Sequence, residues 1–179
     1  MAKKATVVVN PPLLQEEPFA HIVTATEAPH YCWNCLKRPK SLSRCSKCKL
    51  AQFCDRNCQA SGWADHKFEC AGLLKTPKAM TSDMIRFMAR VVRKLKSLNQ
   101  ATSGRRFEDL MSHSDKIRND SVRVNKFNNV IKYLNGFFEP EELPSEKELL
   151  EIYGKIVINS IEILSYNNIK VIGKGLYLK

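Results

Sequence analysis

No apolar run in this 179-residue chain is long enough to span a bilayer. A secretory core is lacking as well. Met1-Ala2-Lys3-Lys4 is basic, but Val7-Val8-Val9 is cut off by Pro11-Pro12, too short a run for a signal peptide. No cysteine lies outside residues 32–70. These absences exclude a membrane-spanning helix, leave no membrane among the expected partners, and argue against a disulfide-stapled secreted domain. The odd number of cysteines, seven, argues the same way. A reducing compartment, nucleus and/or cytoplasm, is expected for thiols that must stay free to bind metal. Acidic residues are scarce too: 18, against 29 lysines and arginines, for a net charge of +11.

That charge is uneven. Residues 1–30 carry −1, 31–71 carry +5, 72–135 carry +9 and 136–179 carry −2. Seven thiolates and two divalent ions would bring the second figure to about +2, so the basic character sits mainly after the cysteine window. A solvated surface explains such charge. A nucleic-acid partner is the sharper alternative, but no stacked aromatics are interleaved with the basic residues.

What the chain does have is concentrated. Cys32-x2-Cys35, Cys45-x2-Cys48, Cys54-x3-Cys58 and His66-x3-Cys70 are four close pairs of soft donors. Each pair can fill two corners of a tetrahedron, so eight ligands amount to two zinc sites. With every ligand consumed, no open position remains for water or substrate, and both ions would be structural. A window so poor in apolar residues cannot bury a core, so zinc would supply its folding energy. Spacing alone leaves both a sequential and an interleaved pairing open. His21, His30 and His113 have no cysteine beside them and are expected to be surface or packing residues.

Around this window the periodicity changes along the chain. Thr6–Val9 and Ala20–Thr24 read as short strands. Asp55 can cap a helix over Arg56–Ser61, followed by a helical turn from Ala64 to Cys70 that puts His66 and Cys70 on one face. Ser82 or Asp83 opens an amphipathic helix to about Leu98, with Met84, Ile85, Met88, Val91, Val92, Leu95 and Leu98 in one stripe and Arg86, Arg90, Arg93 and Lys94 opposite. A loop follows over Asn99–Arg106, then a short helix over Phe107–His113 and a longer one over Val122–Leu134. Pro140–Pro144 reads as an acidic linker. Ser145-Glu146-Lys147-Glu148 is a capping box opening a helix through Ile156. From Ile158 the period becomes that of a strand. Asn167-Asn168 marks a turn into a hairpin with Lys170–Ile172, which Gly173-Lys174-Gly175 is expected to break. A hairpin finishing there has little left to pack against, so the chain is expected to have been cut short.

The window, with Phe53-Cys54, Cys58-Gln59, Trp63 and His66-Lys67, resembles a MYND-type zinc finger. Its flanks resemble the SET-and-MYND lysine methyltransferases, in which the finger and a helical insert interrupt a catalytic SET domain. The fold implied is α+β: a small two-zinc MYND finger joined to a helical insert, flanked by short β segments of an incomplete SET domain. Residues 1–30 would be SET-like strands, 31–71 the finger, 72–157 the insert and 158–179 the return into SET.

The resemblance implies interleaved zinc sites, Cys32, Cys35, Cys54 and Cys58 on one ion and Cys45, Cys48, His66 and Cys70 on the other, which would tie the loop half to the helical half. It implies a surface for proteins with proline-rich segments at Gln59 and Trp63, with histones or chromatin proteins as further partners. It also raises the alternative of a histone-lysine methyltransferase using S-adenosylmethionine. Asn159 matches a donor-pocket position of that family, although an asparagine satisfying nearby backbone groups is the plainer reading. Against catalysis stand departures from the pattern. The family's glycine-rich donor turn does not precede Val7, and its Asn-His motif does not follow Gly173-Lys174-Gly175-Leu176-Tyr177. The expectation is therefore an interaction module, with no catalytic residue assigned.

Overall fold

The strand expected to break at its glycines runs through them and forms the middle of the main sheet. β1 (Ala20–Val23), β4 (Ser160–Leu164) and β5 (Val171–Leu176) are antiparallel in the order β1-β5-β4. Ala20 faces Leu176 and Val23 faces Gly173, while on the other side Ser160 also faces Leu176. Gly173 is required for contact, not for a turn: a Cβ there would lie 2.4 Å from the carbonyl oxygen of Ile22. The expected isolated hairpin is thus corrected. β4 and β5 pair, but β5 also takes β1, which lies some 150 residues earlier in the chain. A pairing so distant leaves no local pattern to read.

The computed structural model describes residues 17–77, 79, 82–97, 105–165 and 170–178. The expected strand at Thr6–Val9, the turn at Asn167-Asn168 and the expected helix end at Leu98 lie outside them. Among the described residues, no helix is long and apolar enough to cross a membrane.

Between β1 and β4 the described residues hold two short strands, β2 (Ser43–Arg44) and β3 (Gln52–Phe53), and six α-helices: α1 (Arg56–Ser61), α2 (Trp63–Lys75), α3 (Asp83–Ser97), α4 (Ser114–Arg118), α5 (Ser121–Leu134) and α6 (Glu146–Asn159). α3 packs on β1, α2, α5 and α6, which puts it at the centre of the molecule. Its expected stripe is buried at Ile85, Met88, Val91 and Val92, but so are Arg86, Phe87, Ala89 and Arg90. Placing Arg86 and Arg90 on an open face is therefore corrected. A helix covered on several sides has no single solvent face, and the two guanidiniums survive burial because carboxylates and carbonyls meet them.

The ends of the helices follow their caps. The side chain of Asp120 accepts from the amides of Val122 and Arg123 at the start of α5. Ser145 and Glu148 form the expected reciprocal box on α6. α6 continues through Ile158 to Asn159 before the chain turns strand-like, two residues later than the periodicity suggests. The helix expected over Phe107–His113 is only a 3-10 turn at Phe107–Asp109. His113 takes a left-handed conformation, φ 48°, immediately before α4, which the sequence reading missed. The acidic linker holds a 3-10 turn at Pro140–Glu142. Phe127, Val130 and Leu134 of α5 meet Leu149, Leu150, Ile152, Tyr153 and Ile156 of α6 in one buried core. At Gly154 the backbone of α6 comes close enough to Ser112 that a Cβ would sit 2.2 Å from its carbonyl oxygen.

Candidate metal centre

Two tight turns set up the first half of each cluster. Leu36 and Lys49, the residues after Cys35 and Cys48, both have φ 61°. The amide of Leu36 donates to the Cys32 carbonyl and that of Lys49 to the Cys45 carbonyl, each at 3.0 Å. Each turn thereby brings its two cysteines together. Left-handed backbone at a residue other than glycine is disfavoured, and neither leucine nor lysine announces it in the sequence.

The second halves come from helices. Asp55 caps α1 by accepting from the amide of Cys58 at 2.8 Å, which fixes Cys54 and Cys58 across the helix start. His66 and Cys70 lie four apart on α2. The β2–β3 pairing of Ser43 with Phe53 and Arg44 with Gln52 ties the cysteine-turn half to the helical half.

The structure brings together Cys32, Cys35, Cys54 and Cys58 as one group and Cys45, Cys48, His66 and Cys70 as another, with donor atoms within 4.8 Å of one another in each. In the first group, Cys32 and Cys58 sulfurs are 3.3 Å apart and Cys35 and Cys54 sulfurs 3.5 Å. In the second, Cys45 and Cys70 sulfurs are 3.9 Å apart, and His66 Nε2 is 3.7 Å from Cys48 Sγ. Two thiolates on one tetrahedral zinc, each about 2.3 Å from the ion, stand about 3.8 Å apart. The donor sets and their spacing fit two zinc ions, in the interleaved grouping.

The electrostatics point the same way. Burial, then the Cys48 and Cys45 sulfurs, push the Cys70 thiol up to about 12. Burial and the neighbouring Cys35 and Cys32 thiols raise Cys54 as well. In Cys58 burial is outweighed by hydrogen bonds from the Asn34 amide and the Cys32 thiol, and in Cys45 by those of the Cys48 and Lys47 backbone, so both fall below the ordinary thiol value. Each cluster therefore contains a thiol disposed to ionise beside one that resists. A divalent cation removes that conflict by making every sulfur a stabilised thiolate.

The second cluster is sunk deeper than the first. All four of its donors are buried, whereas Cys35, Cys54 and Cys58 are half-buried. Trp33, Phe53 and Trp63 surround the His66 ring edge-on, with centroids 6.1, 5.4 and 5.9 Å away. Beside Cys70, Glu69 accepts two hydrogen bonds from Arg90 of α3, at 2.9 and 2.6 Å, with both side chains buried. Arg90 also donates to the His21 carbonyl and Arg86 to that of Val23, while the Arg86 guanidinium lies 4.9 Å from the centre of the Trp33 ring. Finger, α3 and β1 thus share one buried polar seam. His21 belongs to it: burial, then Arg90, push its imidazole down to about 4. The sequence reading missed Asn34, Glu69 and this role of His21. Only the Glu69–Arg90 charge signs were legible, and 21 residues separate them.

The other expected site residues lie outside the two donor sets. Trp63 opens α2 with 41% of its surface exposed, and Gln59 is half-buried on α1. The basic side chains of the cysteine-turn half, Lys37, Arg38, Lys40, Arg44, Lys47 and Lys49, are all exposed. Asn159 closes α6, far along the chain from the clusters. Its amide donates to the Met111 carbonyl at 3.0 Å and the Lys155 carbonyl at 2.8 Å, which is the backbone-satisfying role.

Residues 32–70 match the MYND finger family. Over 172 residues the chain is 30% identical to the histone-lysine N-methyltransferase SMYD3 of Homo sapiens, covering 92% of this chain and 40% of that protein. Over 150 residues it is 29% identical to the N-lysine methyltransferase SMYD2-A of Danio rerio, covering 81% of this chain and 34% of the relative. The chain thus spans between about a third and two fifths of the length of these relatives. It carries a MYND finger in which two Cys/His clusters suit two zinc ions, and SMYD3 and SMYD2 are its distant homologues over most of its length.

Proposed function

We propose that the finger is a zinc-built docking platform for proline-rich protein segments, with Gln59 and Trp63 as its contact residues. The observation that supports this most is Trp63 itself. The residue is 41% exposed, yet its ring centroid lies 5.9 Å from that of His66 at the second cluster. A metal-anchored aromatic surface beside a polar side chain suits a polyproline-type ligand, which has little conformational entropy left to lose. Trp63→Ala should remove most of the binding of a proline-rich peptide, at least about tenfold in Kd. Lys37→Ala with Arg38→Ala should change only its salt sensitivity. NMR titration of the zinc-loaded chain checks both. Shifts confined to the Lys37–Lys49 loop, with steep loss of DNA affinity as salt rises, would replace this reading with a nucleic-acid one.

A second reading is favoured by the 30% identity with SMYD3 over 92% of the chain: the module serves a protein lysine methyltransferase that uses S-adenosylmethionine, with histones among its substrates. Calorimetry of this chain with S-adenosylmethionine, followed by methylation of a histone pool, tests it. Asn159 is the donor contact that the resemblance implies, and its amide already serves two backbone carbonyls.

A further inference from the structure

Two imidazole nitrogens are buried without a hydrogen-bond partner among the described residues, His66 Nδ1 and His21 Nε2. Both rings line one cavity of about 10 Å³, together with Trp33, Asn34, Asp65 and Arg90. That volume is room for a single water, and a buried water needs two to four polar partners.

The polarities of the two nitrogens are complementary. His66 turns Nε2 toward its cluster, 3.7 Å from Cys48 Sγ. A histidine that ligates metal through Nε2 keeps its proton on Nδ1, where it must donate. A neutral imidazole carries its proton on one nitrogen and a lone pair on the other, and the His21 nitrogen left without a partner at the cavity is Nε2. Opposite a His66 Nδ1–H, the complementary state of His21 presents the Nε2 lone pair. One ring must donate into the cavity and the other must accept.

We propose that one structural water in this cavity accepts from His66 Nδ1–H and donates to His21 Nε2, making His21 of β1 a positioning residue for the metal ligand His66. The proposal rests on reading the second cluster as a zinc site. The Asp65 carboxylate and the Asn34 side chain, which line the same cavity, can take the water's remaining hydrogen. His66 is thereby held in one tautomer and one ring orientation, and the sheet is linked to the zinc. Outer partners of this kind are typically worth about 10–100-fold in metal affinity.

The test uses the full chain loaded with zinc. His21→Phe keeps an aromatic ring and removes the acceptor; His21→Gln restores a polar side chain. In competition with a chelator, His21→Phe should release one of two zincs about 10-fold or more faster, leave the other unchanged, and be largely rescued in His21→Gln. Equal loosening of both zincs, or no change in either, overturns the proposal. Should His21→Phe not fold, the unaltered protein still decides the matter by NMR. The His66 ring should show a slowly exchanging Nδ1–H with a cross-peak to long-lived bound water, and a Nδ1–H lacking that cross-peak overturns the proposal. Fewer than two zincs on the unaltered chain would instead refute the zinc reading beneath it.

Discussion

The finger and the helical part reach a fixed structure by different means. In residues 32–70 the strands are two residues each, and the cysteine knuckles turn on left-handed Leu36 and Lys49. Little apolar surface is available there, and order comes from eight donors converging on two points. In α3, α5 and α6, order comes from burial: Phe87, Met88, Val91, Leu134 and Ile156 are essentially without solvent contact. The polar seam of Glu69, Arg90, Arg86 and the β1 carbonyls joins the two parts. A ligand-built unit tolerates a thin core; a packed unit does not.

Breaking the metal should separate the two parts most sharply. Cys48→Ala removes one donor of the buried cluster, where structural zinc typically contributes on the order of 10 kcal/mol. Zinc content should fall below two per chain by elemental analysis, while circular dichroism keeps most of the signal of α3, α5 and α6. Loss of the whole helical signal would show that the seam carries the finger's collapse into α3. Glu69→Ala attacks the seam directly, leaving the Arg90 charge buried without its carboxylate. Urea unfolding should show a loss of about 3–5 kcal/mol, and a loss under about 1 kcal/mol would make the seam incidental.

Acidification probes the same seam from the β1 side. The neutral His21 ring is favoured in the folded state, where its pKa is near 4 against an ordinary 6.5. Its contribution is fully present above pH 6.5 and disappears as pH falls toward 4, for a total of about 3 kcal/mol. Unfolding curves of the unaltered protein and His21→Phe should therefore converge or cross on acidification, since zinc loss is common to both. Parallel curves would remove His21 from the account. The smallest effect belongs wholly to the packed part: Ser145→Ala opens the capping box of α6, whose Ser145 hydroxyl and Glu148 carboxylate serve each other's backbone amides. A cost of about 1 kcal/mol by urea unfolding, with both zincs retained at unchanged affinity, is expected.

The site was more legible than the fold around it. Ligand pairs at spacings of two and three residues speak through covalent chain length, so cysteine and histidine positions already name their chemistry. Caps at Asp55 and Ser145 are equally local, satisfying amides within three residues. The burial of Arg86 and Arg90 was not legible, because the amphipathic pattern of α3 says which residues are apolar and not how many neighbours will cover the helix. The run of β5 through Gly173 and Gly175 was not legible either. Glycine is permissive in a turn and equally useful where a strand passes close to another backbone, and only the proximity of the Ile22 carbonyl separates those uses.

The sequence by itself determined the donor set, the helix caps at Asp55 and Ser145 and the MYND character of residues 32–70, because each depends on residues a few positions apart. Spacing left the pairing of the donors open and the family resemblance implied their interleaving; tertiary structure alone decided the place of β5 between β1 and β4, and the meeting of Glu69 with Arg90 and of His21 with His66 around one cavity. These depend on burial and on closing loops of tens to more than a hundred residues, and no local spacing encodes where such loops close.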